Sequence, residues 1–242
     1  MLQVNSVSAG YGSLQILNDV SIEAKPNQIT VVVGPNGSGK STLLKTIAGL
    51  TSLYGGKVLL NGKTISTLPQ HEIAKAGVAY LPQTESTFTQ LTVAENLKMA
   101  GYTVERSDFD ARLSDSFKIF PKLPQYVNTK AVNLSGGERQ MVAMTMALLR
   151  KPSVIMFDEP TANLAPMIAT QVLNTISQIS ADSGLTTILV EQNATRALQI
   201  GQYTYLLVNG KVVFQGTTKD LLEHKELGKL YLGLGMSQSS PS

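Results

Sequence analysis

Gly34-Pro35-Asn36-Gly37-Ser38-Gly39-Lys40-Ser41 is the stretch that decides the fold, because it fits the pattern G-x-x-x-x-G-K-[ST]. The β-branched run at residues 28–33 predicts a buried strand before it, and residues 40–48 predict a helix after it, ending at Gly49. Such a loop surrounds phosphate with backbone N–H groups, and the helix dipole favours the negative charge. We therefore predict a nucleotide site that contains Gly34, Pro35, Asn36, Gly37, Ser38, Gly39, Lys40, Ser41 and Thr42.

Two side chains of this loop have specific expected roles. Lys40 would neutralise the β- and γ-phosphates, and the Ser41 hydroxyl would ligate Mg²⁺. The alternative, a glycine-rich turn with a surface lysine, does not explain why the loop lies between a strand and a helix. The sequence therefore predicts binding of ATP with Mg²⁺.

A second acidic motif lies about 120 residues downstream, where the apolar run at 154–157 leads into Asp158 and Glu159. In a doubly wound sheet the carboxyl end of a strand faces the ligand crevice, so Asp158 can organise Mg²⁺. Glu159 is placed to polarise the water that attacks the γ-phosphate. Taken alone, the pair could equally be a solvated turn, and the upstream phosphate loop decides for the catalytic interpretation.

The remaining patterns predict an α/β fold with a mainly parallel sheet and an antiparallel β part. Strands are expected at 2–7, 78–81 and 187–190, and Asn61-Gly62 and Asn209-Gly210 predict hairpin turns. Residues 84–133 show helical signals, with a capping box at Thr92 and an amphipathic stretch at 108–120. We expect one domain over 1–236 with a helical subdomain inserted at about 84–133, and a disordered tail at 237–242.

Composition excludes several classes of function. The net charge of +3, from 20 basic and 17 acidic residues, is too weak to indicate a nucleic-acid partner. The absence of cysteine excludes disulfides and thiolate chemistry. The start has no signal-peptide pattern, and no apolar run reaches the roughly 18 residues of a membrane span. Any membrane role is therefore expected to depend on a partner.

A third motif, Leu134-Ser135-Gly136-Gly137-Glu138, has the spacing of a capping box before a helix that runs to about Arg150. It also resembles the signature motif of ABC ATPases and lies in the same order between the other two motifs. In that family two ATPase domains hold two ATP molecules head to tail, so the resemblance implies that Ser135 and Gly137 contact the γ-phosphate bound by a partner. Tyr11 resembles the aromatic residue that stacks on adenine. Gln83 resembles the glutamine that senses Mg²⁺ and the attacking water, so we expect it at the metal site with Ser41 and Asp158.

Within that family the chain is similar to the LivF-type ATPases of branched-chain amino-acid and related amide uptake systems. The likeness lies in the strings 189–194, 120–123, 91–97 and 231–233. It implies a peripheral subunit at the cytoplasmic face of the membrane. Its expected partners are a second, different ATPase subunit, although self-pairing is possible, two integral membrane permeases and, indirectly, a solute-binding protein.

Two residues depart from the general ABC pattern. Gln192 replaces the switch histidine, and Ala165 replaces an aspartate. Both replacements put the full catalytic competence of this site in question. LivF-type proteins share both residues. Gln192 is nevertheless taken as the second catalytic residue beside Glu159. Asn163 replaces an expected glycine, without a physical reason in the sequence.

Three functions remain open: the ATPase of an importer for branched-chain or other amino acids, an ABC protein that acts on ribosomes or DNA, and a nucleotide-binding scaffold with weak hydrolysis. Translation-type ABC proteins usually join two such domains in one chain, and repair types insert a long coiled coil. This chain shows neither feature. Intact Lys40, Asp158 and Glu159 argue against the scaffold.

Overall fold

The computed structural model describes residues 1–84, 86–224 and 226–227, and its strands form two sheets. The strands are β1 (Leu2–Tyr11), β2 (Leu14–Ala24), β3 (Gln28–Val33), β4 (Ser52–Leu60), β5 (Lys63–Thr64), β6 (Val78–Leu81), β7 (Val154–Asp158), β8 (Thr186–Val190), β9 (Tyr203–Val208) and β10 (Lys211–Thr217). The helices are α1 (Lys40–Ile47), α2 (Gln70–Lys75), α3 (Val93–Ala100), α4 (Arg106–Ile119), α5 (Gly136–Leu148), α6 (Pro166–Ser183), α7 (Ala194–Ile200) and α8 (Thr218–Glu223).

The larger sheet has six strands in the order β10-β9-β3-β8-β7-β6, and only the β9–β10 pair is antiparallel. Its central strands are continuous apolar runs because helices cover both faces. Every residue of β7 and β8 is buried, for example. The expected mainly parallel α/β sheet is confirmed. Parallel order also brings the carboxyl ends of β3, β6, β7 and β8 to one edge, where the predicted site lies.

The smaller sheet is antiparallel, in the order β2-β1-β4-β5. Both predicted hairpin turns are present: Asn61 and Gly62 have φ of 49° and 79°, and Asn209 and Gly210 have 48° and 73°. Positive φ at both central residues is the requirement of a type I′ turn. Strand β2 was not predicted, because bulges in its pairing with β1 interrupt the alternation of apolar and polar residues.

Between β6 and α5, the described residues form α3, α4 and two short 3₁₀ helices at Leu123–Tyr126 and Ala131–Asn133. Helix α4 begins two residues before the amphipathic stretch predicted at 108–120. Ser116 is the buried residue of this helix. Helices α3 and α4 both pack on α5. The boundaries predicted for the domain, 1–236, and for its inserted helical subdomain, about 84–133, remain expectations. The tail at 237–242 and the string 231–233 lie outside the described residues.

No helix in the described part of the chain combines the length and apolarity needed to cross a bilayer.

Candidate functional site

The phosphate loop begins where β3 ends, and its backbone is specified by glycine. A Cβ atom at Gly34 would overlap the carbonyl oxygen of Leu207 on β9, and Gly39, with φ of 103°, precedes the first residue of α1. Helix α1 has no side-chain cap, so its first N–H groups are directed into the loop without a side-chain partner. The buried Ser38 Oγ also has no hydrogen-bond partner among the described residues. These donors fit an anionic ligand.

Lys40 supplies the positive charge of this loop. Its side chain is almost fully buried, and Nζ donates to the carbonyl oxygens of Gly34 at 2.9 Å and Pro35 at 3.0 Å. Burial lowers the pKa of the ammonium, and the negative charges of Glu159 and Asp158 oppose that shift. Phosphate oxygens would be stronger acceptors than the two carbonyls that now hold the ammonium.

Asp158 ends β7 beside the phosphate loop and is almost fully buried. Ser41 Oγ donates to its Oδ1 at 2.8 Å, although the two residues are 117 positions apart in sequence. The Tyr80 hydroxyl on β6 donates to the other oxygen, Oδ2, at 2.9 Å. One carboxylate beside one hydroxyl is the kind of oxygen set that Mg²⁺ uses together with nucleotide phosphates. The residues present therefore fit the predicted metal.

Glu159 follows in a strained conformation, with φ of 48°, and its N–H donates to the Val190 carbonyl at 2.9 Å. A non-glycine residue in this region costs energy and is found most often at functional sites. Gln83 Nε2 donates to Glu159 Oε2 at 3.2 Å, so the structure brings these two predicted residues together. Ligation of a metal by Gln83 stays a prediction.

Glu191 was not singled out in the sequence, yet it is central to this edge of the sheet. Only 3% of it is exposed, and its Oε1 accepts hydrogen bonds from the N–H and Oγ1 of Thr161 at 3.1 Å and 2.7 Å. Burial raises the pKa of Glu191; the hydrogen bonds from Thr161 oppose this, and the Glu159 charge adds to it. The sequence signal that could have identified Glu191 is a carboxylate directly after the apolar run of β8.

Gln192 is exposed and lies in a cleft of about 340 Å³ next to Glu159. The loop after Glu159 lines the same cleft, and Asn163 in it has φ of 61°. Asparagine, like glycine, tolerates the left-handed region. This conformation is the physical reason for Asn163 that the sequence alone did not supply.

The predicted signature motif is a helix start. Ser135 caps α5: its N–H donates to Glu138 Oε2 at 2.7 Å, and its Oγ accepts from the Glu138 N–H at 3.4 Å. The Tyr126 hydroxyl, and then Ser135, lower the pKa of Glu138. Leu134 is buried, whereas Ser135 is exposed and Gly136 and Gly137 are half-buried.

This motif lines a separate cleft of about 380 Å³ that has no phosphate-loop residue among its described walls.

Tyr11 ends β1 and is 43% exposed, as a residue that stacks on a ligand would be. The turn that follows it is anchored by the Tyr54 hydroxyl, which donates to the Gly12 carbonyl at 2.8 Å. Stacking on adenine stays a prediction.

Comparison with known proteins agrees with this geometry. Residues 17–162 match the model of the ABC transporter family. The chain is 51% identical to the "probable branched-chain amino acid transport ATP-binding protein LivF" of Archaeoglobus fulgidus, over 97% of this chain and 99% of that protein. It is 38% identical to the "high-affinity branched-chain amino acid transport ATP-binding protein BraG" of Pseudomonas aeruginosa, over 96% of this chain and 100% of that protein.

A solved structure gives the same fold. The ADP conformation of an ATP-binding cassette of an ABC transporter superposes with a TM-score of 0.82 at 27% identity, covering 97% of this chain and 98% of that one.

Proposed function

The chain belongs to the ABC transporter family of ATPases, and from that premise we propose that it drives an importer for branched-chain or related amino acids. The observation that carries the proposal is the hydrogen bond between Ser41 and Asp158, because it joins the phosphate loop to the acidic strand. Both relatives named for branched-chain amino acid transport match nearly the full chain, which supports the substrate class.

In the proposed reaction, water attacks the γ-phosphorus of ATP, the bond to the bridging oxygen breaks, and ADP and phosphate leave. The loop N–H groups and Lys40 bind and orient the phosphates. Ser41 and Asp158 would hold Mg²⁺, which neutralises charge on the phosphate oxygens when bound. Glu159 orients the water and takes up its proton, and the Gln83 amide keeps the Glu159 carboxylate in place. Gln192 would donate a hydrogen bond to the γ-phosphate.

We propose that the working unit is a dimer in which the signature motif of each chain completes the partner's nucleotide site. The exposed Ser135, at the start of α5, supports this arrangement because it is free to meet a partner's nucleotide. The partner chain is proposed to be a second, different ATPase subunit, as in the LivF-type systems that this chain resembles.

We further propose that residues 84–133 form the helical subdomain on which the permeases dock, at the cytoplasmic face of the membrane. A groove of about 340 Å³ supports this, because it runs beside the edge strand β6 and its walls include Ser86 and Ala100 of this segment. Pro82, in the wall of this groove, directly precedes Gln83, so we expect docking there to change the hydrogen bond between Gln83 and Glu159. Cross-links from the permeases should fall in residues 84–133 or next to Gln83, and cross-links confined to other surfaces would reject this surface.

A second candidate is a nucleotide-binding scaffold with weak hydrolysis, which Gln192 and Ala165 favour. The test is ATP hydrolysis by the assembled transporter, with and without leucine, comparing Glu159→Gln with the surface control Glu223→Gln on α8. We expect leucine-stimulated hydrolysis that is lowered in Glu159→Gln, because the site of this chain is blocked, and unchanged in the control. Equal hydrolysis in Glu159→Gln and the parent would favour the scaffold, and stimulation by other solutes alone would reject the substrate class.

A further inference from the structure

Two hydroxyl groups from different elements hold the Asp158 carboxylate. Ser41 Oγ on α1 donates to Oδ1 at 2.8 Å, and Tyr80 Oη on β6 donates to Oδ2 at 2.9 Å. We propose that Tyr80 is a positioning residue that fixes Asp158 for metal binding, an inference that rests on the proposed role of Asp158.

The two donors are not equivalent. Ser41 is expected to ligate the metal through its oxygen while its hydrogen still faces Asp158, so the position of this donor depends on the metal, whereas the Tyr80 hydroxyl is held by the sheet. Tyr80 contacts the opposite carboxylate oxygen and leaves Oδ1, on the Ser41 side, available. A donor that orients a ligating carboxylate from behind is a common feature of metal sites, and its loss weakens metal affinity.

The strand geometry gives Tyr80 a firm base. β6 and β7 pair in parallel, and Tyr80 lies opposite Met156, two residues before Asp158. The ring packs against a core cluster that includes Val78, Val154 and Met156. The hydroxyl therefore reaches Asp158 from a rigid sheet.

The test measures metal binding without turnover, using Mn²⁺ as the probe in the Glu159→Gln protein with ATP. Electron paramagnetic resonance counts free Mn²⁺ during the titration. We expect Tyr80→Phe to weaken Mn²⁺ binding about 10-fold, at the lower end of the effects of such orienting residues. ATP affinity in EDTA should stay within about twofold of the parent, because Tyr80 does not contact the phosphate loop donors.

The matched control is Tyr205→Phe. Tyr205 is also a buried sheet tyrosine, and its hydroxyl accepts from the Glu23 N–H at 2.9 Å, away from the site. This variant should lose stability and keep the parental Mn²⁺ affinity, so a fall in Mn²⁺ affinity in both variants would reject a specific role for Tyr80.

Asp158→Asn tests the metal site itself, independently of Tyr80. Asp158→Asn is expected to weaken Mn²⁺ binding. If it does so while Tyr80→Phe leaves Mn²⁺ binding unchanged or strengthens it, the positioning role of Tyr80 is wrong and the metal site stands. If Asp158→Asn leaves Mn²⁺ binding unchanged, the proposed metal site itself is wrong.

Discussion

Glu191 and Thr161, 30 residues apart, are joined by two hydrogen bonds to one carboxylate oxygen. Glu191 immediately precedes Gln192, and Thr161 lies two residues after Glu159. The loop that follows the proposed catalytic glutamate is thus tied to the loop that carries the proposed γ-phosphate contact. A displacement of one loop has to displace the other or break a buried pair of bonds.

Glu191→Gln should change the pH dependence of stability. Because the pKa of Glu191 is raised above its ordinary value of 4.5, the folded state binds more protons than the unfolded state above that pH. Its contribution to the free energy of unfolding therefore falls as pH rises through the folded pKa. Glutamine keeps an acceptor for Thr161 without this titration. Urea unfolding from pH 4.5 to neutral pH should show the variant gaining relative to the parent, and parallel pH curves would contradict this.

Lys40→Ala should weaken ATP binding at least about 10-fold, because a hydrogen bond to a charged group contributes roughly 1.5–3 kcal/mol. Fluorescent ATP binding is the measurement. Lys45→Ala, near the end of the same helix α1, is the matched control and should bind as the parent does. Unchanged ATP affinity in Lys40→Ala would mean that the loop is not the phosphate site.

Ser135→Ala should lose ATP-dependent dimerisation as well as stability. Thr92→Ala is its matched control, because Thr92 forms the same capping box with Glu95 on α3. Each substitution should cost about 1 kcal/mol of unfolding free energy. Light scattering of the hydrolysis-blocked protein mixed with its partner ATPase subunit should show weaker dimers for Ser135→Ala alone. Equal loss in both variants would mean that Ser135 acts only as a cap.

Asn163→Val should destabilise the protein by about 1–3 kcal/mol, because a β-branched residue does not tolerate the left-handed region. Asn163→Gly, which accepts the same φ, should stay within about 1 kcal/mol of the parent. Chemical unfolding distinguishes the two variants. A Val variant as stable as the Gly variant would show that φ does not restrict this position.

Gln192→His should raise hydrolysis at this chain's own site. A histidine can carry positive charge and stabilise the charge that develops on the γ-phosphate, whereas a neutral amide only donates a hydrogen bond. Single-turnover hydrolysis of the assembled complex measures the Gln192→His variant against the parent, and an unchanged rate would contradict this prediction.

The two nucleotide sites of the complex should also differ if the partner ATPase has a histidine at the position of Gln192. Loss of the partner's catalytic glutamate should then lower turnover more than Glu159→Gln does. Single-turnover hydrolysis compares these two glutamate variants. Equal losses, or a larger loss from Glu159→Gln, would show that glutamine substitutes fully.

Sequence patterns predicted the features that depend on residues close together in the sequence. The bounds of β3 and the capping boxes at Thr92 and Ser135 match the expectations, because each depends on neighbours within a few residues. Tyr80 was missed as a partner of Asp158, 78 positions away, because sheet pairing creates that contact. Strand β2 was missed because bulges hide its period. The strain at Glu159 is a backbone property with no compositional signal.

The position of β3 between β8 and β9 has a consequence for synthesis of the chain. The phosphate loop leaves the ribosome early, yet both neighbours of its strand, and the Leu207 carbonyl against which Gly34 packs, are made more than 140 residues later. A nascent polypeptide should therefore gain no protection from ATP until β9 has emerged. Protease resistance conferred by the nucleotide would then report completion of translation through this strand.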